Sequence, residues 1–378
     1  MDQSFSTKKG EKPRILVAPL DWGLGHATRC IPLIRQLLAL ECDVWLAGEG
    51  AQEKLLAAEF PMLRFLPLPG YRISYAKTRK GLAWKIIKQV PKIVRAIRYE
   101  NKWLRKMVSL HKLNAVISDN RYGLYHPGLP CIIITHQLQI KSSAGKWTEK
   151  IIQRQNYKYI NRFTACWVPD REKENTIGGE LSHPRSLPGI PVHYIGLLSR
   201  FEKNDSSPNL VKEKKNHLVI LLSGPEPQRS MLEELIIRDI SHYNFTATIA
   251  RGLPATATIL PSTNMIKFYN HLPAEELQEA ILAAEYVISR SGYSSIMDIL
   301  ALQKKSILVP TPGQTEQEYL GIYAMKKGLA VCIQQKDFSL TSAVAMASDF
   351  QYEMPETNAG GESKKIIENF VQGIKQGM

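Results

Sequence analysis

The nine residues Asp21–Arg29, DWGLGHATR, carry the first legible chemistry of the chain. Gly23 and Gly25 let the backbone approach a ligand closely. His26 follows them, and a histidine can take a proton at working pH. A second stretch, Ser289–Asp298 (SRSGYSSIMD), sets Arg290, a Ser291–Gly292 turn and the serines Ser294 and Ser295 ahead of an acid, Asp298. A helix opening at those serines would turn unpaired N–H groups and the positive end of its dipole toward a phosphate, with Arg290 adding charge. Asp298, one turn in, would suit ribose hydroxyls. Elsewhere Asp119 and Asn120 end the run NAVISDN, and His136 ends CIIITHQ. A carboxylate behind a histidine sets its tautomer and steadies the imidazolium. His26 and Asp119 therefore read as a general base and its partner.

Such residues must be brought to one edge of a sheet. RILVAP (Arg14–Pro19) is a short apolar run before the glycine loop, and Ile31, Ile34, Leu37 and Leu38 line one face of the helix after it. Strand, glycine turn, helix is the opening unit of an open α/β sheet. Without GxGxxG spacing it is no plain dinucleotide fingerprint. Further strands are expected at 43–48, 64–68, 114–120, 131–137 and 164–170, with helices between them, including Trp147–Arg162. The sheet is then mostly parallel, and its ligands belong outside the carboxyl strand ends. The polar, Pro/Ser-containing segment from Leu198 to Asn216 reads as a linker. The pattern restarts with strands at 217–224, 245–250, 265–270, 286–290 and 306–310 and helices at 231–241, 274–284 and 294–302. The expected class is α/β, with an amino-terminal domain over 1–199, a linker over 200–216 and a carboxy-terminal domain over 217–378. The last helix, Lys364–Gly373, is placed to pack back across the linker. Two such halves leave a cleft between them.

A length of 378 residues suits two domains, and 44% hydrophobic with 22% charged residues describes a soluble globular protein. The five cysteines are scattered without CxxC spacing, which fits a reducing cytoplasm and offers no metal site. The polar start lacks the apolar core of a signal peptide. The net charge of +14 asks for an anionic partner, and its distribution narrows the choice. Residues 77–106 hold eleven Lys or Arg against one acid, Glu100. Ile86, Val90, Ile93, Val94 and Ile97 recur there at helical spacing, with Trp84, Tyr99 and Trp103 near the ends. Pro91 should kink this helix or start its second half. A basic amphipathic helix of this kind suits an anionic membrane surface, with Trp84, Lys85, Lys88, Lys92 and Arg95 as contacts; the plainer alternative is a core helix with a solvated basic side. No nucleic-acid motif is present, so nucleic acid is not an expected partner.

RSGYSSIMD resembles the RSGxxTxxE pattern of the MurG-like glycosyltransferases of the two-Rossmann (GT-B) type, with Asp298 in place of the ribose-binding Glu, and is similar to the HCGWNSxxE segment of plant-type UDP-sugar transferases. DWGLGH is similar to their GGxGGH loop, with His26 on the family's histidine. The resemblance implies a UDP-sugar donor and a lipid-linked or envelope glycan acceptor. It also implies peripheral attachment to the inner face of the cell membrane and transfer with inversion, without a metal or other cofactor. It puts Gln317 and Glu318 of the stretch VPTPGQTEQEY (Val309–Tyr319) beside the donor sugar, and Phe268 and Tyr269 on the segment whose backbone reads uracil. Donor contacts are also implied for Gly25, Ser223, Gly224, Arg290, Ser291, Gly292, Ser294, Ser295 and Asp298, and His136 falls on the acceptor side.

The chain departs from the pattern in two places. Where the family has GGSQG this chain has SGPEPQ (Ser223–Gln228), and Pro225 and Pro227 carry no N–H for a phosphate. Aspartate at 298 reaches one methylene less far than glutamate. MurG-related UDP-sugar hydrolases also carry a GxGHxxR loop, which Arg29 fits, so a hydrolase or epimerase on the same fold is the alternative activity.

Overall fold

The computed structural model describes residues 11–72, 79–142, 145–201, 211–240, 245–253, 256–355 and 361–377. The side chains of 79–88 lie outside that description, those of Trp84, Lys85 and Lys88 among them. The chain forms two compact units.

The first unit alternates strands and helices: β1 (Arg14–Pro19), α1 (Gly25–Ala39), β2 (Asp43–Gly48), α2 (Ala51–Glu59), β3 (Arg64–Pro67), α3 (Arg79–His111), β4 (Ala115–Asp119), β5 (Cys131–Ile134), α4 (Lys146–Ile160), β6 (Ala165–Val168) and β7 (Val192–Tyr194). All strands are parallel, in the order β3-β2-β1-β4-β5-β6-β7. The central strands are apolar without alternation because helices cover both faces. In β1, Ile15 and Val17 face one buried cluster while Leu16 and Ala18 face the other. The strand order reverses between β1 and β4, where Pro19 lies opposite Asp119. That is the switch point at which open α/β sheets place their ligands.

The second unit repeats the plan with β8 (His217–Leu221), α5 (Gln228–Ile240), β9 (Thr246–Ala250), β10 (Ile266–Tyr269), α6 (Ala274–Ala283), β11 (Tyr286–Ser289), α7 (Tyr293–Ala301), β12 (Ser306–Leu308), α8 (Thr315–Lys326), β13 (Val331–Cys332) and α9 (Leu340–Asp349). Its parallel order is β10-β9-β8-β11-β12-β13, so the switch point lies between β8 and β11, with Leu221 opposite Ser289. The final helix, α10 (Gly361–Gln376), belongs to the first unit. Ile367, Phe370, Val371 and Ile374 recur at helical spacing and enter its core, where Phe370 meets Trp167 edge-on at 5.2 Å.

Three local differences from the sequence reading have physical reasons. A single helix runs through Pro91, where the sequence left open a kink or a new start. The edge strands β7 and β13, three and two residues long, carry too little pattern to read. Pro312 and Gly313 make the 309–319 stretch look like loop throughout, yet α8 begins within it at Thr315.

Candidate active site

In the first unit the glycine loop is held from outside. Asp21 accepts from the backbone N–H groups of Tyr71 (2.8 Å) and Arg72 (2.9 Å). The amide of Gln52 donates to the carbonyls of Leu20 and Gly23. Gly23 takes a φ of +75°, which favours glycine. So restrained, the loop delivers Gly25 and His26 to the first turn of α1, at the end of β1.

There the topology gathers residues distant in sequence. His26 Nδ1 lies 3.1 Å from Asp119 Oδ2, and the histidine side chain keeps 13% of its surface exposed. Asp119 is fully buried at the end of β4. Arg29, only 2% exposed, grips that carboxylate with Nε at 2.7 Å from Oδ2 and Nη2 on Oδ1. Its Nη2 also lies 2.9 Å from His26 Nδ1, and its Nη1 3.2 Å from Nδ1 of His136. His136, buried just past β5, thus joins the same network. Burial pushes the Asp119 carboxyl up, but the neighbouring Arg29 guanidinium, with His26 beside it, outweighs burial and holds the group well below the usual carboxylate range. The sequence reading named Arg29 only as fitting the GxGHxxR loop and gave it no role in the site. The available signal was its place three residues after His26, on the same face of a helix.

In the second unit the expected donor residues stand at or just past the carboxyl ends of β8, β10, β11 and β12. Gly292 is the N-cap of α7 and has no side chain to fill that end. Ser294 and Ser295 stand in its first turn, and Asp298 is buried one turn on. Ser223 and Gly224, the latter at φ +101°, are exposed just past β8. Phe268 packs against the core with its N–H on Ser262 Oγ at 2.9 Å, while Tyr269 is exposed.

Several of these side chains turn onto the protein itself. Arg290 donates to the carbonyls of Val309 (3.1 Å), Pro310 (3.3 Å) and Gln228 (2.5 Å), so its first work is to tie three loops together. Burial lowers its pKa to about 10, and it keeps its charge at neutral pH. Ser291 donates to the carbonyl of Gln317 at 2.7 Å. Gln317 accepts from the N–H of Thr311 at 2.9 Å, and Glu318 from that of Gly313 at 3.0 Å. Both stand in the first turn of α8 and shape the loop before it, rather than standing on a free loop.

The departure at SGPEPQ has a structural counterpart. The first turn of α5 is already occupied: Glu226 accepts from the N–H of Ser230 at 3.2 Å and pairs with Arg229 at 2.6 Å. A carboxylate stands where an anion would otherwise bind, which leaves α7 as the better-placed helix terminus.

On α3, Ile97, Leu104 and Val108 are buried, and Lys92, Arg95, Arg98, Lys102, Arg105 and Lys106 are exposed. Lys92 donates to the carbonyl of Arg72 at 2.6 Å. Glu100 faces inward, where it accepts from Arg121 (2.7 Å), Tyr71 (2.9 Å) and the N–H of Gly123 (3.0 Å). The outward face from Lys92 to Lys106 is therefore left without an acid. Among the described residues no helix is long and apolar enough to cross a membrane.

Two Rossmann-like units in one chain, each with its polar loops at a switch point, have the architecture of GT-B glycosyltransferases. The glycosyltransferase family 28 C-terminal domain matches residues 260–375. A relative from Bacillus cytotoxicus, described as a UDP-N-acetylglucosamine–N-acetylmuramyl-(pentapeptide) pyrophosphoryl-undecaprenol N-acetylglucosamine transferase, is 22% identical over 86% of this chain and 87% of its own. The solved MurG of Acinetobacter baumannii is similar over 97% of this chain and all of its own, with a TM-score of 0.53 at 14% identity. The glycotransferase of kitacinnamycin aligns over 97% and 95%, with a TM-score of 0.62 at 13% identity. The chain is a glycosyltransferase of the GT-B fold, and along most of its length it is similar to MurG-type enzymes.

Proposed function

We propose that the enzyme moves a sugar, an N-acetylhexosamine, from a UDP-sugar to a hydroxyl of a lipid-linked or envelope glycan acceptor, with inversion at the anomeric carbon. The observation that carries this reading is the contact of His26 with the buried Asp119 at 3.1 Å. With a proton on Nδ1 directed at Asp119, Nε2 is free to take the acceptor's hydroxyl proton. The acceptor oxygen then bonds to the anomeric carbon as the bond from that carbon to the phosphate oxygen breaks. UDP leaves with the electron pair, and the first turn of α7 stabilises its charge. Asp298 holds the ribose, and Phe268 and Tyr269 border the base. Gln317 and Glu318 shape the loop beside the sugar. In this reading no metal or other cofactor takes part. The name of the Bacillus cytotoxicus relative supports the donor and the acceptor class.

The reading extends to location: the enzyme works in the cytoplasm, attached to the inner face of the cell membrane through the basic face of α3. Anionic lipid headgroups suit a surface whose one acid, Glu100, is turned inward.

The experiment is a panel of nucleotide sugars incubated with and without a membrane lipid extract, following UDP release and sugar in the lipid-soluble fraction together. Release that depends on the extract and matches transfer is the expected result. Rapid release indifferent to the extract would make the enzyme a hydrolase, and recovery of an altered nucleotide sugar would make it an epimerase.

A further inference from the structure

His26 Nδ1 sits between an obligate donor and an obligate acceptor. Arg29 Nη2, 2.9 Å away, can only donate, because a guanidinium does not give up its proton in a protein. Asp119 Oδ2, 3.1 Å away, is ionised and can only accept. One nitrogen cannot satisfy both at once. If Nδ1 accepts from Arg29, the single proton of the neutral ring is on Nε2. If Nδ1 donates to Asp119, Nε2 carries the lone pair. The doubly protonated ring would set an Nδ1–H against an Arg29 N–H in a buried place.

We propose that Arg29 is a positioning residue that decides which nitrogen of His26 carries the proton, holding the resting enzyme in the Nε2–H form. Two features favour the Arg29 contact at rest. It is the shorter of the two, and the Asp119 carboxylate already accepts twice from Arg29 itself. The opposing group is the Asp119 oxygen that faces Nδ1 at 3.1 Å; Cys30 and His136 do not add to it. Cys30, with Sγ 3.8 Å from Asp119 Oδ2, has its thiol pushed well up by burial and stays neutral. His136 turns its Nδ1 to the same guanidinium and adds no opposing charge while neutral.

The inference rests on the reading of His26 as the base, and it adds a control to that base. In the Nε2–H form His26 cannot take a proton from a stray water, so a bound UDP-sugar is guarded against hydrolysis. Readiness for transfer requires a proton to leave Nε2 to water and another to arrive from water at Nδ1. The Nδ1 hydrogen bond then passes from Arg29 to Asp119.

Long-range proton–nitrogen spectra of the histidine-labelled protein at neutral pH test this, with the His26 signal identified by its loss in His26→Gln. The wild-type protein is expected to show Nδ1 unprotonated and Nε2 protonated. Arg29→Met is expected to move the proton to Nδ1. Its UDP release without acceptor, relative to transfer, should rise several-fold, while Arg29→Lys, which keeps a donor and a charge, stays closer to wild type. A wild-type spectrum with Nδ1 protonated would overturn the inference whether or not the variants fold. So would an unchanged tautomer in folded Arg29→Met. The spectrum needs no turnover, so loss of the transferase reading with an Nε2–H ring would leave Arg29's role standing.

Discussion

Replacing Asp119 by asparagine changes one atom and should be costly. The native carboxylate accepts twice from Arg29 and lies against His26, with no exposed surface. Asparagine offers one acceptor oxygen, and its NH2 group would face the Arg29 donors. The guanidinium is then left buried without a counter-charge. Breaking one partner of such a buried pair costs about 3–5 kcal/mol. Domains of this kind are stable by only about 5–15 kcal/mol, so the loss should be plain in urea unfolding. All six tryptophans lie between Trp22 and Trp167, so their fluorescence reports on the first unit alone. Arg29→Met with Asp119→Asn should recover much of the loss, because the uncompensated charge goes with it. The same pair sets a pH dependence. The folded-state pKa of Asp119 is depressed, so its contribution is present above the unfolded value of about 4 and fades as pH falls below it. A folded Asp119→Asn protein less than about 1 kcal/mol weaker than wild type would refute the buried pair and the network built on it.

Asp298→Ala should lose a hydrogen bond to the ribose worth about 1.5–3 kcal/mol, seen by isothermal titration as UDP affinity weaker by roughly 10- to 150-fold; unchanged affinity in a folded variant would remove Asp298 from the site. Changing Lys92, Arg95, Arg98 and Lys102 to Gln should release the protein from anionic vesicles at low salt, each charge being worth about 1 kcal/mol near such a surface and the sum falling short of additive. Equal co-sedimentation of this variant and wild type would place membrane contact elsewhere.

The strands and their ends were legible because parallel strands buried on both faces read as unbroken apolar runs, and the polar residue that ends each run marks the carboxyl edge. That rule brought Asp119 to His26 across ninety-three positions. It could not supply Arg29's role: a charged residue near the start of an amphipathic helix reads as solvent-facing until its carboxylate partner at the end of a strand is seen. Arg290 shows the converse. Its charge was legible, but its three carbonyl partners lie in segments that only the fold brings near. Gln317 and Glu318 were read as standing beside a sugar; that they also accept from the N–H groups of Thr311 and Gly313 became visible only in the fold. The helix α9 was not read from the sequence, although Leu340, Ala343, Val344 and Ala347 are buried at helical spacing. Ser339, which accepts from the N–H of Ser342 at 3.2 Å, was the available sign of its start.

The central claim is that His26 takes the acceptor's proton. The most direct measurement is transfer by His26→Ala beside its affinity for the UDP-sugar that wild type uses. Loss of a general base lowers the rate by about 10²–10⁴-fold. The expected result is donor affinity within error of wild type and transfer reduced by that order. Full transfer by His26→Ala would contradict the claim and leave the Asp21–Arg29 loop with no more than a shaping role.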